Sequence, residues 1–70
     1  MKFYENYNDL KEALDLGKLT RADISAFINN GELVIIKEGK IVYRRYFGHP
    51  EVIDRCKDLG LEFMGIQSNF

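Results

Sequence analysis

The spacing of apolar residues changes along this chain, and each change marks an element. Tyr7, Leu10 and Leu14 recur at i, i+3 and i+7, the stripe of a helix with one buried face. Asn6 or Asn8 stands where an N-cap belongs, and Gly17 supplies a left-handed stop, so a first helix is placed over about 8–16. Thr20 and Asp23 then form a capping-box-like pair, with Asp in place of the usual Glu. Leu19 and Ile24 sit at the two ends of a hydrophobic staple. Ile24, Phe27 and Ile28 continue as a helical stripe to Asn30-Gly31, which predicts a second helix over about 20–30.

After Gly31 the period shortens to that of strands. Leu33–Ile36 is rich in β-branched residues, Glu38-Gly39 is a turn, and Ile41–Phe47 is a second run, so a hairpin with strands over about 33–37 and 41–47 is expected. Glu-Gly is not the favoured type I′ pair, and a three-residue loop with a Gly bulge fits equally well. With a two-residue loop, Ile36 faces Ile41, Val34 faces Tyr43 and Glu32 faces Arg45, while Leu33, Ile35, Val42 and Arg44 lie on the other face. Both faces are apolar near the turn, which calls for helices on both sides or a partner on one.

Gly48-His49-Pro50 ends the hairpin, and Pro50 suits the first turn of a third helix over about 50–59. Val52, Ile53, Cys56 and Leu59 line its inner face, and Leu61–Ile66 reads as a last strand. The expected architecture is one small α+β domain over residues 1–70, in the order α-α-β-β-α-β, with a three-stranded antiparallel sheet. A right-handed crossover through the third helix makes the last strand parallel to the one over 41–47, which gives sheet order 2-1-3 and leaves the Arg-containing strand at an edge. Phe3 and Tyr4 fit either an added strand or a packed arm.

Seventy residues can bury only about 60% of the surface the unfolded chain exposes, which disfavours a core that must also support a catalytic pocket. One Cys and one His provide neither an intramolecular disulfide nor a zinc cluster. No apolar run approaches a membrane span and no signal-peptide h-region opens the chain, so a cytoplasmic location is expected.

The glycines never fall in phosphate-loop spacing, and neither Ser25 nor Ser68 lies in a nucleophile elbow. Cys56 lies on an apolar helical stripe, where a free Cys acts as a small hydrophobe. His49, beside Pro50 at a helix start, is read as capping or exposed. Asp54 with Asp58, and Asp9 with Glu12, are read as solvated helix faces without further ligands. No catalytic residue, metal or cofactor is expected.

Charge sharpens this picture. The overall formal charge is −1, yet residues 32–50 carry a net +2 between segments of −1 and −2. Lys37, Lys40, Arg44 and Arg45 interleave there with Tyr43, Tyr46 and Phe47. Tyr and Arg are enriched at protein interfaces, and the same mixture can track phosphates and stack on bases. The plain structural reading puts Tyr43 and Phe47 in the core and the basic residues on an edge strand they keep soluble.

A resemblance emerges from Asn30-Gly31-Glu32-Leu33, running into Ile35-Ile36 and the Glu38-Gly39-Lys40 turn. Over about residues 10–59, the order helix–turn–helix, hairpin and helix, with Ala13–Gly17 as the end of the first helix and its tight turn, resembles small winged helix-turn-helix domains of the excisionase and MerR-like type. The resemblance implies a recognition helix over Thr20–Asn29. Thr20, Arg21, Ser25 and Asn29 would then face the major groove, with Lys37 and Lys40 in the wing. A pI near 5.7 lacks the basic footprint of such domains. The preferred expectation is therefore a non-enzymatic protein-interaction module: an adaptor, inhibitor or regulator of the sort phage or bacterial genomes encode. Its surface would be Arg44, Arg45 and Tyr46 on the edge strand, extended by Phe63, Met64 and Phe70. The same edge could pair with a second copy of the chain.

Overall fold

A computed structural model describes residues 3–61 and 63–67, the last five by their backbone. Helix α1 spans Tyr7–Asp15, as the stripe requires. Asn6 caps it, its Oδ1 accepting the Asp9 N–H at 2.8 Å. Leu10, Ala13 and Leu14 are its buried face, and Gly17 follows at φ +76°. Helix α2 spans Glu51–Asp58 and buries Val52 and Cys56.

The second expected helix is a strand. Thr20 and Asp23 close only a single 3₁₀ turn over Arg21–Asp23, with no side-chain cap bond, and Ile24 is already extended at φ −124°, ψ 157°. Strand β1 then runs over Ile24–Asn29 and pairs antiparallel with β2, Glu32–Lys37. The loop between them is the two residues Asn30-Gly31, both at positive φ (50° and 87°), the signature of a type I′ hairpin. Ile24, Phe27 and Ile28 fit a helical stripe, but Ala26 and Ile28 also alternate with Ser25, Phe27 and Asn29. Asn-Gly decides for the strand, because it matches the right-handed twist of paired strands while a helix end needs only one left-handed residue.

Strand β3, Lys40–Tyr46, follows a second two-residue loop, Glu38-Gly39, again at positive φ on both residues (52° and 77°). Ile36 pairs with Ile41 as expected. The register then slips at a β-bulge, so Ile35 faces Tyr43, Val34 faces Arg44, Leu33 faces Arg45 and Glu32 faces Tyr46. The expected Val34–Tyr43 and Glu32–Arg45 pairs are not formed. The extra residue, Val42, lets both Val42 and Tyr43 enter the core.

Strand β4, Phe63–Gln67, pairs parallel with β1, and the sheet order is β3-β2-β1-β4. The expected three-stranded antiparallel sheet is thus a four-stranded mixed one, and the strand inserted is the segment read as helix. β4 does run parallel to β3, as the crossover argument requires, but it lies beside β1 instead of β2. The Arg-containing strand is indeed at an edge.

A single buried cluster joins both helices to one face of the sheet: Leu10 and Leu14 from α1, Val52 and Cys56 from α2, and Ala26, Ile28, Leu33, Ile35 and Tyr43 from the strands. Tyr4 is buried as well, and its N–H donates to the Val42 carbonyl at 2.7 Å. Tyr4 is therefore packed against the domain and bonded through its main chain to β3, while Phe3 is exposed. Met1, Lys2 and Phe70 lie outside the described residues.

Candidate functional site

The two arginines expected to act together are adjacent and lie on opposite faces of the sheet, and the bulge at Val42 decides which face each takes. Arg44 lies on the sheet face turned away from the helices and makes a two-pronged contact with Glu32, at 3.1 and 2.9 Å. Those bonds push its guanidinium further up from the usual arginine range and neutralise it locally. Arg45 lies on the helix side and makes no ion pair among the described residues. Tyr46 is 69% exposed, and its ring lies over a pair of glycines. A Cβ on Gly31 would stand 3.0 Å from the Tyr46 ring, and one on Gly48 would stand 3.5 Å from its hydroxyl.

Two surfaces result. The first is the sheet face bare of helices. Phe27, Val34, Ile36 and Ile41 occupy its middle by register, with Arg44–Glu32 and Tyr46 toward one end. Val34 is fully buried by its neighbours, Phe27 and Ile36 are half-buried, and Ile41 is exposed. Ser25 and Asn29 share this face along β1.

The second surface is a cleft of about 450 Å³ on the helix side, between the start of α1, the end of β3 and α2. Arg45, Tyr46 and Phe47 meet Asn6, Tyr7, Asn8, Glu51 and Arg55 there. The Tyr7 and Phe47 rings pack edge to face, 5.9 Å between centroids at 83°. The Arg55 guanidinium lies over both, 4.9 and 5.2 Å from the centroids, and is tied at 3.2 Å to Glu51 one turn earlier. Tyr43 lies fully buried, its hydroxyl without a hydrogen-bond partner among the described residues. Burial raises its pKa, while the positive charges of Arg45 and Arg55 pull the other way.

Behind the cleft, the Tyr7 hydroxyl donates to the Asp58 carboxylate and lies 3.2 Å from the Arg55 carbonyl. Lys11 joins at 3.0 Å from Asp58. Burial and the Asp58 contact raise the Tyr7 pKa, and the same hydroxyl together with Lys11 holds Asp58 below its ordinary 3.8. A carboxylate depressed in the folded state stabilises the fold above its unfolded value and loses that contribution as pH falls through the lower folded one. Asp58→Asn is therefore expected to be less stable than the parent in urea melts at neutral pH, with the gap narrowing at acid pH, below the ordinary carboxylate range. A gap of the same size at both pH values would show that Asp58 acts through packing alone.

The expected nucleic-acid residues are scattered. With Thr20–Asn29 folded as a 3₁₀ turn and a strand, the recognition helix implied by the winged-helix resemblance has no counterpart. Thr20 flanks the 3₁₀ turn, and Arg21 is held against the Leu59 carbonyl at 2.7 Å. Ser25 and Asn29 lie on β1, and Lys37 and Lys40 sit together at the β2–β3 turn. Cys56 is fully buried, with its thiol pushed up by burial and directed to the Leu61 carbonyl at 3.6 Å, as its apolar position indicates. No group of three or more His, Cys, Asp or Glu residues that could hold a metal ion occurs among the described residues. No helix among them is long and apolar enough to cross a membrane.

No protein-family model, curated protein or solved structure matches this chain. The residues themselves must therefore carry the functional reading. Sequence reasoning found Arg45 and Tyr46 but missed the rest of the cleft. Its lining comes from segments distant in sequence, and Arg55 reads locally as one more polar residue on the outer face of a helix.

Proposed function

We propose that this chain is a non-enzymatic protein-interaction module, an adaptor, inhibitor or regulator, which binds through the open face of its sheet and the adjoining β3 edge. The observation that carries this reading is the face that neither helix covers: around the buried Val34 it carries the half-buried Phe27 and Ile36 and the exposed Ile41. An apolar strip beside an exposed Tyr and a neutralised Arg–Glu pair offers a protein contact rather than a track for phosphates. Lys37 and Lys40 are the basic residues left for the nucleic-acid alternative, at one end of the hairpin.

The test is a photo-crosslinking amino acid placed at Ile41 and, as a control, at the exposed Glu12 on α1, in cells of the organism that encodes the chain. The expected result is a discrete protein adduct from Ile41, resistant to nuclease, with none from Glu12. Nucleic-acid adducts, or the same adducts from both positions, would refute the proposal. An adduct of twice the chain's mass would assign the face to a second copy instead.

A further inference from the structure

The cleft on the helix side of β3 is a separate site, and its chemistry selects a ligand class. Its cations are unequal. Arg55 is occupied on its edge by Glu51 and on its face by the Tyr7 and Phe47 rings, so it serves mainly to hold those rings in place. Arg45 enters the same space from β3 with no ion pair among the described residues, and with its planar fork of donors available. Two guanidiniums and one carboxylate leave the cleft with one net positive charge. That charge matches a monoanion better than a phosphate dianion, and a planar carboxylate matches the Arg45 fork.

Around that charge three aromatic side chains, Tyr7, Phe47 and the exposed Tyr46, share the lining with the polar Asn6 and Asn8. A cavity of about 450 Å³ falls within the range of small-molecule pockets, ~300–1,000 Å³. We infer that this cleft binds an organic monocarboxylate with an apolar or aromatic body, with Arg45 holding the carboxylate and the Tyr7–Phe47 pair contacting the body. A small molecule and an acidic side chain of a peptide share this chemistry, and the test distinguishes them.

The experiment is a nuclear magnetic resonance titration of the whole chain, following the Arg45 and Arg55 Nε–H signals and the Phe47 ring. The probes are benzoate, its neutral isostere benzamide, inorganic phosphate, and a capped peptide with a single Glu beside a Phe. Benzoate is expected to shift all three signals and to bind at least about tenfold more tightly than benzamide, the worth of a charge-assisted pair. Arg45→Gln is expected to fold normally, because the side chain makes no ion pair, and to abolish the discrimination. Asn8→Asp places a carboxylate in the cleft at a helix start that tolerates it, and is expected to weaken benzoate binding while α1 stays intact.

Tighter binding by the peptide than by benzoate supports the site and identifies a protein segment as its source, whereas the reverse order identifies a small molecule. Equal binding of benzoate and benzamide, unchanged discrimination in Arg45→Gln, tighter binding by phosphate, or no shift with any probe each overturns the inference.

Discussion

Ile35→Ala is expected to cost the fold about 2–5 kcal/mol, enough to leave a 70-residue domain largely unfolded near 37 °C. Ile35 sits at the middle of β2 with no exposed surface, between Ala26 on one neighbouring strand and Tyr43 on the other. Truncation there removes three carbon atoms from a packed layer. The sheet cannot close over the gap, because both neighbours are fixed by ladder hydrogen bonds. The measurement is a urea melt beside Ile41→Ala. Ile41 belongs to the opposite face and keeps 36% of its surface in water, so its truncation is expected to cost no more than about 1 kcal/mol. Comparable losses at the two positions would mean that the assignment of core face and open face is reversed.

Gly31→Ala is the second large effect, at about 2–4 kcal/mol. Gly31 closes the β1–β2 turn at φ +87°, where a side chain costs about 1 kcal/mol by itself. The larger share is steric. The new Cβ would stand 3.0 Å from the Gly48 Cα and 3.0 Å from the Tyr46 ring. The ring can swing aside, but the Gly48 backbone cannot easily do so, because its N–H and that of Phe47 both bond to the Gly31 carbonyl at 3.0 and 2.9 Å. Gly39→Ala provides the internal control. It shares the positive φ, at +77°, but would meet nothing within 4 Å, so only the conformational cost of about 1 kcal/mol is expected. Thermal melts of the two variants compare these terms directly. Equal shifts would show that the Gly31–Gly48 contact contributes nothing.

These two positions also show what was legible in the sequence. The helices α1 and α2 and the hairpin β2–β3 follow from local periods and stop signals, and their bounds agree with the structure to within about two residues. The segment Ile24–Asn29 was ambiguous because its three bulky apolar residues satisfy both helical spacing and, in part, alternation. A capping pair at Thr20 and Asp23 favoured the helix, and Asn30-Gly31 resolved the ambiguity the other way. That dipeptide is both an acceptable helix end and the strongest short hairpin turn. The cleft was legible only at Arg45 and Tyr46. Its other residues converge from α1 and α2 through long-range packing, which no local pattern reports.

The single extra residue at Val42 works as a sorting device. Without it, strict alternation would carry Arg45 to the open face beside Glu32 and Arg44 to the helix side, with Tyr43 withdrawn from the core. With it, the two arginines exchange faces: Arg44 is tied to Glu32 at the rim of the broad apolar surface, and Arg45 is left at the mouth of the narrow cleft. A chain of this size thereby presents two chemically dissimilar surfaces from consecutive residues.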